Sequence, residues 1–367
     1  MHSPAEEGTQ MNTATTDALT ALPEAPRRSL FSRVSAVQEI GLIGVVLVLG
    51  VLLSIYGYYD ALPGRPNTFL NSDNLIDGIA TPMSYYAIMA IGLTIVIVAG
   101  GIDISVGSAM ALSGMATAWV LKSAVPDGSI ATVLPLATAV ALGIGLLCGL
   151  FNAVLVAGLR MHPFIVTLGT LSIYRCLATA PFSVKTISAP ASLREFFNAQ
   201  LFGMRLLPLV VMLGVVLLGF VYLRLLVWGR ETYAVGGNEE AARFSGISVG
   251  GTKLRIYMIS GMLAGLAGLV SLGKFGTMSS SSASGYELTV VAAAVVGGAS
   301  LSGGRGTAIG ALLGTLILAM IEDGINIVHL NQEWKIGIVG LSIIVAVALD
   351  SLGGQWRNWR LRGKQKI

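Results

Sequence analysis

Apolar residues run along this chain in long blocks rather than in alternation, and the blocks recur from about Ile40 to Leu349. At a rise of about 1.5 Å per residue, a helix needs about 20 apolar residues to cross hydrocarbon. Stretches approaching that length fall near 39–59, 79–100, 104–122, 131–158, 163–182, 206–227, 254–275, 287–303, 306–328 and 333–352. The pattern predicts an all-α polytopic membrane protein with about ten membrane segments. Two pairs depart from it. Segments 79–100 and 104–122, and again 287–303 and 306–328, are joined by short Gly/Ser-rich links hardly polar enough to reach water, which predicts broken or re-entrant helices.

Composition supports the bilayer reading, with 54% hydrophobic and only 11% charged residues in 367. The 46 glycines include Gly145/Gly149, Gly261/Gly265 and Gly306/Gly310/Gly314 at four-residue spacing, read as small faces that let helices approach where lipid gives no hydrophobic drive. Residues 1–38 are polar and proline-bearing, without an apolar core before a cleavage site, and read as a disordered cytoplasmic tail. A membrane domain then spans 39–353, and a basic cytoplasmic tail 354–367. With the N-terminus inside, lysine and arginine favour the inner loops roughly two to one, so both termini are expected in the cytoplasm. That asymmetry accounts for the net charge of +4 and gives no support to a nucleic-acid partner. Two cysteines in apolar segments and three scattered histidines predict no disulfide, metal site or histidine catalysis.

Candidate chemistry gathers at the breaks. The first, Gly100-Gly101-Ile102-Asp103-Ile104-Ser105-Val106-Gly107-Ser108, holds a carboxylate between two apolar runs, where an acid is costly. Asp103 is read first as a cap for the orphan N–H groups of the following helix, with direct contact to a passing solute as the compatible alternative. The second, Val296-Gly297-Gly298-Ala299-Ser300-Leu301-Ser302-Gly303-Gly304, resembles the first; an internal duplication is one account, shared Gly/Ser composition the other. Between two spans, Asn238 can cap a two-turn helix that has Glu239 and Glu240 in its first turn, Arg243 following and Gly246 to end it. So short a helix is marginal alone in water, and its acids suit a protein partner better than an anionic membrane surface.

On these motifs, with Pro163-Phe164-Ile165-Val166-Thr167-Leu168-Gly169-Thr170, and Gly285-Tyr286-Glu287-Leu288 ahead of Leu301-Ser302-Gly303-Gly304-Arg305-Gly306, the chain from 40 to 352 resembles the permease subunit of bacterial ATP-binding-cassette importers for monosaccharides. His162 and Thr289 depart from that family's usual apolar and acidic residues and bear on substrate identity. The resemblance implies a subunit that does no chemistry and carries no cofactor. A second permease subunit, identical or not, would complete the pathway for a sugar or polyol. Cassette ATPases would bind a cytoplasmic coupling helix formed by Asn238, Glu239, Glu240, Ala241, Ala242 and Arg243, and a periplasmic binding protein would deliver the sugar.

Pathway candidates are Asp103, Ser105, Ser108, Thr167, Thr170, Glu287, Ser300, Ser302 and Arg305, polar and close to unusual membrane segments. Arg305 is read as a partner for Asp103, as a partner for half-helix C-termini, or as a topology signal, Glu287 as a cap or a contact, and Ser279–Gly285 as a flexible outer loop. An enzyme is not expected: Gly268–Lys274 matches a phosphate loop until Phe275 replaces the magnesium-binding hydroxyl, and no Ser/His/acid cluster suggests acyl transfer. The rival functions are a branched-chain amino-acid permease of the same superfamily and an ion-coupled secondary transporter, for which paired intramembrane acids are few.

Overall fold

The computed structural model describes residues 30–61, 67–182, 185–331, 333–345 and 347–348. Helix α1 (Leu30–Asp60) begins within the segment read as the N-terminal tail; residues 1–29 and the tail 354–367 lie outside the described residues. A π-helical turn, Asn74–Ala80, feeds α2 (Thr81–Val98), and α3 (Val106–Ala124) follows the first break. Then come α4 (Ile130–Ala153), prolonged by a π turn over Val154–Gly158, α5 (Pro163–Leu177), α6 (Ala191–Phe197) and α7 (Leu207–Arg224). The second half holds α8 (Val227–Gly237), α9 (Glu239–Phe244), α10 (Val249–Phe275), α11 (Tyr286–Val296), α12 (Ala308–Ile327) and α13 over residues 333–345. A helix lies in each of the ten expected segments, and among the described residues six are long and apolar enough to cross a membrane.

Local sequence sets the ends. Proline occupies the first turn of α2, α5 and α7, where its missing N–H costs nothing. Ser248 and Thr307 cap α10 and α12 through their side-chain oxygens, and Gly276, at φ 71°, stops α10.

Helix α2 is the central post: 94% of the most apolar window of its span is buried, against 6% for α1, whose apolar side chains are mostly exposed. Around α2 stand α10, α7, α12 and α11. Helix α10 also packs along α4, and the crossing is made by the glycines flagged above. A Cβ on Gly145 would overlap the Gly261 carbonyl, and one on Gly149 the Tyr257 carbonyl. Gly310 and Gly314 bring α12 equally close to the Gly297 and Ala293 carbonyls.

Three features differ from expectation. The segment expected over 287–303 is helical only as α11, whose 11 residues reach about 16 Å and cannot cross a bilayer alone. The outer segment read as a loose loop is built: β2 (Thr277–Ser279) pairs antiparallel with β1 (Thr186–Ser188), Ile187 opposite Met278. Beyond β2, Arg175 donates to the carbonyls of Ser280, Ser282 and Ala283 at 3.2, 2.7 and 3.3 Å. Helix α8, finally, fills a stretch that hydropathy leaves as a connection, because it is too polar to read as a span.

Candidate functional site

The two breaks and α8 converge at one end of the bundle. Gly100 turns the chain out of α2 at φ 79°, a conformation that a Cβ would strain. Across from it, Gly304 N–H donates to the Val98 carbonyl at 2.8 Å, joining the second break to the first by backbone alone. Gly236, near the end of α8, fills the remaining space: a Cβ there would overlap the Val98 carbonyl and stand 2.8 Å from Gly304 N. One turn earlier, the Tyr233 hydroxyl donates to the Gly306 carbonyl at 2.6 Å. Burial pushes the Tyr233 phenol up to about 12, so it remains a donor at neutral pH. The start of α1 closes the same end, where Thr307 donates to Glu39 at 2.9 Å.

Helix α9 hangs directly from this junction. Asn238 Oδ1 accepts from Ala241 N at 2.9 Å, as its capping role requires. Glu239 pairs with Arg243 at 3.2 Å and with Lys253, on α10, at 2.8 Å. Ala242 alone in α9 is buried, against Val235 and Val249. Glu239, Glu240, Ala241 and Arg243 face outward, and Phe244 is 84% exposed. A cavity of about 360 Å³ lies under the helix, floored by Gly100, Gly101 and Tyr257 and walled by Gly236, Glu239 and Lys253.

Asp103 is 1% exposed, and instead of capping the N–H groups inside α3 as expected it closes the turn ahead of that helix, because its carboxylate reaches only as far as Ser105 N–H. Its Oδ1 accepts from Ser105 N at 3.0 Å and Ser105 Oγ at 2.6 Å, and its Oδ2 accepts from Ser260 Oγ on α10 at 3.1 Å. The network continues outward: Asn152, on α4, donates to Ser105 Oγ at 2.9 Å, and Tyr174, on α5, donates to Asn152 Oδ1 at 3.2 Å and to the Cys148 carbonyl at 2.8 Å. Thr167 and Tyr257 both donate to the Ile102 carbonyl at 3.3 Å. Three helices, α4, α5 and α10, are thereby tied to one turn. Arg305 is no part of it: its Nη2 donates to Ser300 Oγ at 3.2 Å while Ser300 N–H returns a bond to the Arg305 carbonyl, so the arginine folds the second break on itself and, among the described residues, makes no pair with Asp103, which was one of the readings open for it.

The remaining candidates lie apart from this turn. Thr170 is buried on α5 and bonds within its own helix, and Ser302 is exposed in the second break. Glu287 sits in the first turn of α11 and makes no cap bond; its carboxylate occupies the space that a Cβ on Gly107 would fill. Glu287 Oε2 and Ser108 Oγ are buried without a hydrogen-bond partner among the described residues. Arg175 stands close enough to feel the Glu287 charge. Sequence reasoning did not name Ser260, Asn152 or Tyr174, and it gave Tyr233 and Gly236, in the stretch leading into α9, no role of their own. An amide inside an apolar helix was a usable signal for Asn152.

Residues 75–347 match the model of the family described as branched-chain amino acid transport system / permease component. The chain is 33% identical over 334 residues to the ribose import permease protein of Escherichia coli (strain K12), covering 88% of this chain and 97% of that one. It is 33% identical over 310 residues to the D-allose transport system permease protein of the same organism, covering 84% and 91%. To its galactose/methyl galactoside import permease protein it is 34% identical over 324 residues, covering 84% and 94%. No solved structure matches the chain significantly. With its helices, its paired breaks and these relatives along nearly its whole length, this chain is a multi-pass membrane protein of that permease family.

Proposed function

We propose that this chain is the membrane-spanning subunit of an ATP-driven importer, forming with a second permease subunit the pathway for a sugar or polyol. Cassette ATPases hydrolyse ATP on separate chains and grip α9, a periplasmic binding protein delivers the sugar at the opposite end, and both termini lie in the cytoplasm. This subunit itself is not an enzyme. The observation that carries the reading is α9: six residues anchored by a single buried alanine, exposed on every other side chain, and mounted on the junction of both breaks. A helix so small and so outward-facing is suited to being held by another protein.

The sugar class is supported by the relatives, whose names speak of ribose, D-allose and galactose import. The Asp103 network supports it from inside, since the acid at the first break is consumed by hydroxyl and amide donors and stands ready for no ammonium group. The experiment is uptake of labelled ribose, D-allose and galactose into proteoliposomes holding the chain with its cassette ATPase and binding protein. Accumulation that needs ATP, is untouched by collapsing ion gradients and is competed by sugars but not by leucine is the expected result. Competition by leucine would return the amino-acid reading that the family description names, and uphill uptake by the chain alone would remove the importer reading.

A further inference from the structure

Movement of α9 has two routes into the bundle. One runs along the chain through Gly246 and Ser248 into α10, helped by the Glu239–Lys253 and Glu239–Arg243 pairs. Exposed ion pairs of this kind hold about 0–1 kcal/mol and re-form readily in new geometries, so they transmit little force. The other runs back through Asn238 into α8, where no side chain separates backbone from backbone. A Cβ on Gly304 would stand 3.3 Å from Gly237 Cα, one on Gly303 would be 2.5 Å from the Gly236 carbonyl, and one on Gly236 would overlap Val98. Contacts at that range have no slack and pass displacement on directly. The Tyr233 hydroxyl adds a directional bond from the middle of α8 to Gly306 at the far side of the second break.

Resting on the importer reading above, we propose that Tyr233 and Gly236 are positioning residues for transport. They make α8 a rigid link from α9 to both broken-helix turns, so that residues 99–105 and 297–307 shift together when the ATPase moves α9. Neither residue touches sugar or nucleotide in this account. Their part is to keep hydrolysis and movement of the pathway in step.

The test uses the whole complex in proteoliposomes, with whichever of ribose, D-allose and galactose the wild type accumulates, and reads sugar imported per ATP hydrolysed. Tyr233→Phe removes only the hydroxyl; loss of one half-buried hydrogen bond, about 1 kcal/mol, corresponds to about a fivefold fall in that ratio. Basal ATPase activity and the yield of assembled complex should stay at the wild-type level. Gly236→Ala should lower the ratio further, and Gly250→Ala, whose Cβ meets nothing within 4 Å, should leave it unchanged. A wild-type ratio in Tyr233→Phe overturns the link, as does a parallel fall in assembly and ATPase activity at constant ratio, which would mark a purely structural contact. Glu240→Lys serves as the outside check. If it abolishes uptake while Tyr233→Phe keeps the wild-type ratio, the importer reading stands and this inference falls; if wild-type uptake ignores ATP, both fall.

Discussion

Asp103 is the residue on which the chemistry of the first break turns, and its surroundings are those of an acceptor held by donors. Asparagine keeps the oxygen that bonds Ser105, and its amide can donate to Ser260 Oγ, so Asp103→Asn should retain most uptake and most thermal stability in detergent. Leucine removes all three bonds and leaves Ser105 N–H and two hydroxyls buried, at about 1–3 kcal/mol for each unsatisfied group. Asp103→Leu should therefore unfold well below the wild type, and an unchanged unfolding temperature would refute its part in holding the turn. Arg175 invites a parallel experiment, because three carbonyls of the serine-rich segment depend on it. In Arg175→Met, amides of residues 277–285 should exchange hydrogen faster while those of α4 and α10 do not. The first-break acid could be singled out from sequence because an acid between apolar runs is rare and costly. Its partners could not, since Ser260 and Asn152 are ordinary residues until the fold sets them beside the turn.

Helix packing here is governed by glycine, and the substitutions that test it are paired within one helix. Gly145 lies against the α10 backbone, whereas Gly143, two residues away, meets nothing within 4 Å. Gly145→Ala forces backbone apart and should cost about 1–3 kcal/mol as overpacking. Gly143→Ala should be neutral or stabilising by about 0.4–1 kcal/mol through the unfolded chain. Unfolding of the two variants in the same detergent checks the contrast, and equal shifts would mean that the spacing carries no packing role. The spans, the two breaks and the small faces were legible from sequence because each leaves a run or a period in the apolar pattern. Helix α8, the short β1–β2 pair and the true length of α11 were not. They are built from polar or three-residue pieces, held by long-range contacts that local periodicity does not record.

Taken together, the bundle has one working end, and what sequence could not reveal is that its parts are a single object. Residues 98–101, 233–237 and 303–306 lie more than sixty positions apart in the chain at their closest, yet they touch through main-chain atoms, which leave no side-chain pattern to read. From the breaks alone a pathway could be drawn, and from α9 alone a docking helix; on the proposed reading their junction makes the second an actuator for the first. That arrangement predicts which charge change should matter most. Glu239 is engaged within the chain by Arg243 and Lys253, so reversing it also rearranges local pairs worth about 0–1 kcal/mol each. Glu240 is exposed on the same first turn, and Glu240→Lys leaves those pairs alone while turning the outer face of the helix basic. Membrane insertion and the unfolding temperature should stay near the wild type, whereas sugar uptake and binding of the cassette ATPase should both be lost, as should uptake in the Glu239→Lys, Glu240→Lys double variant. Retention of ATPase binding and full transport in Glu240→Lys would show that the outward face of α9 is mere solvated surface, and that force enters the bundle elsewhere.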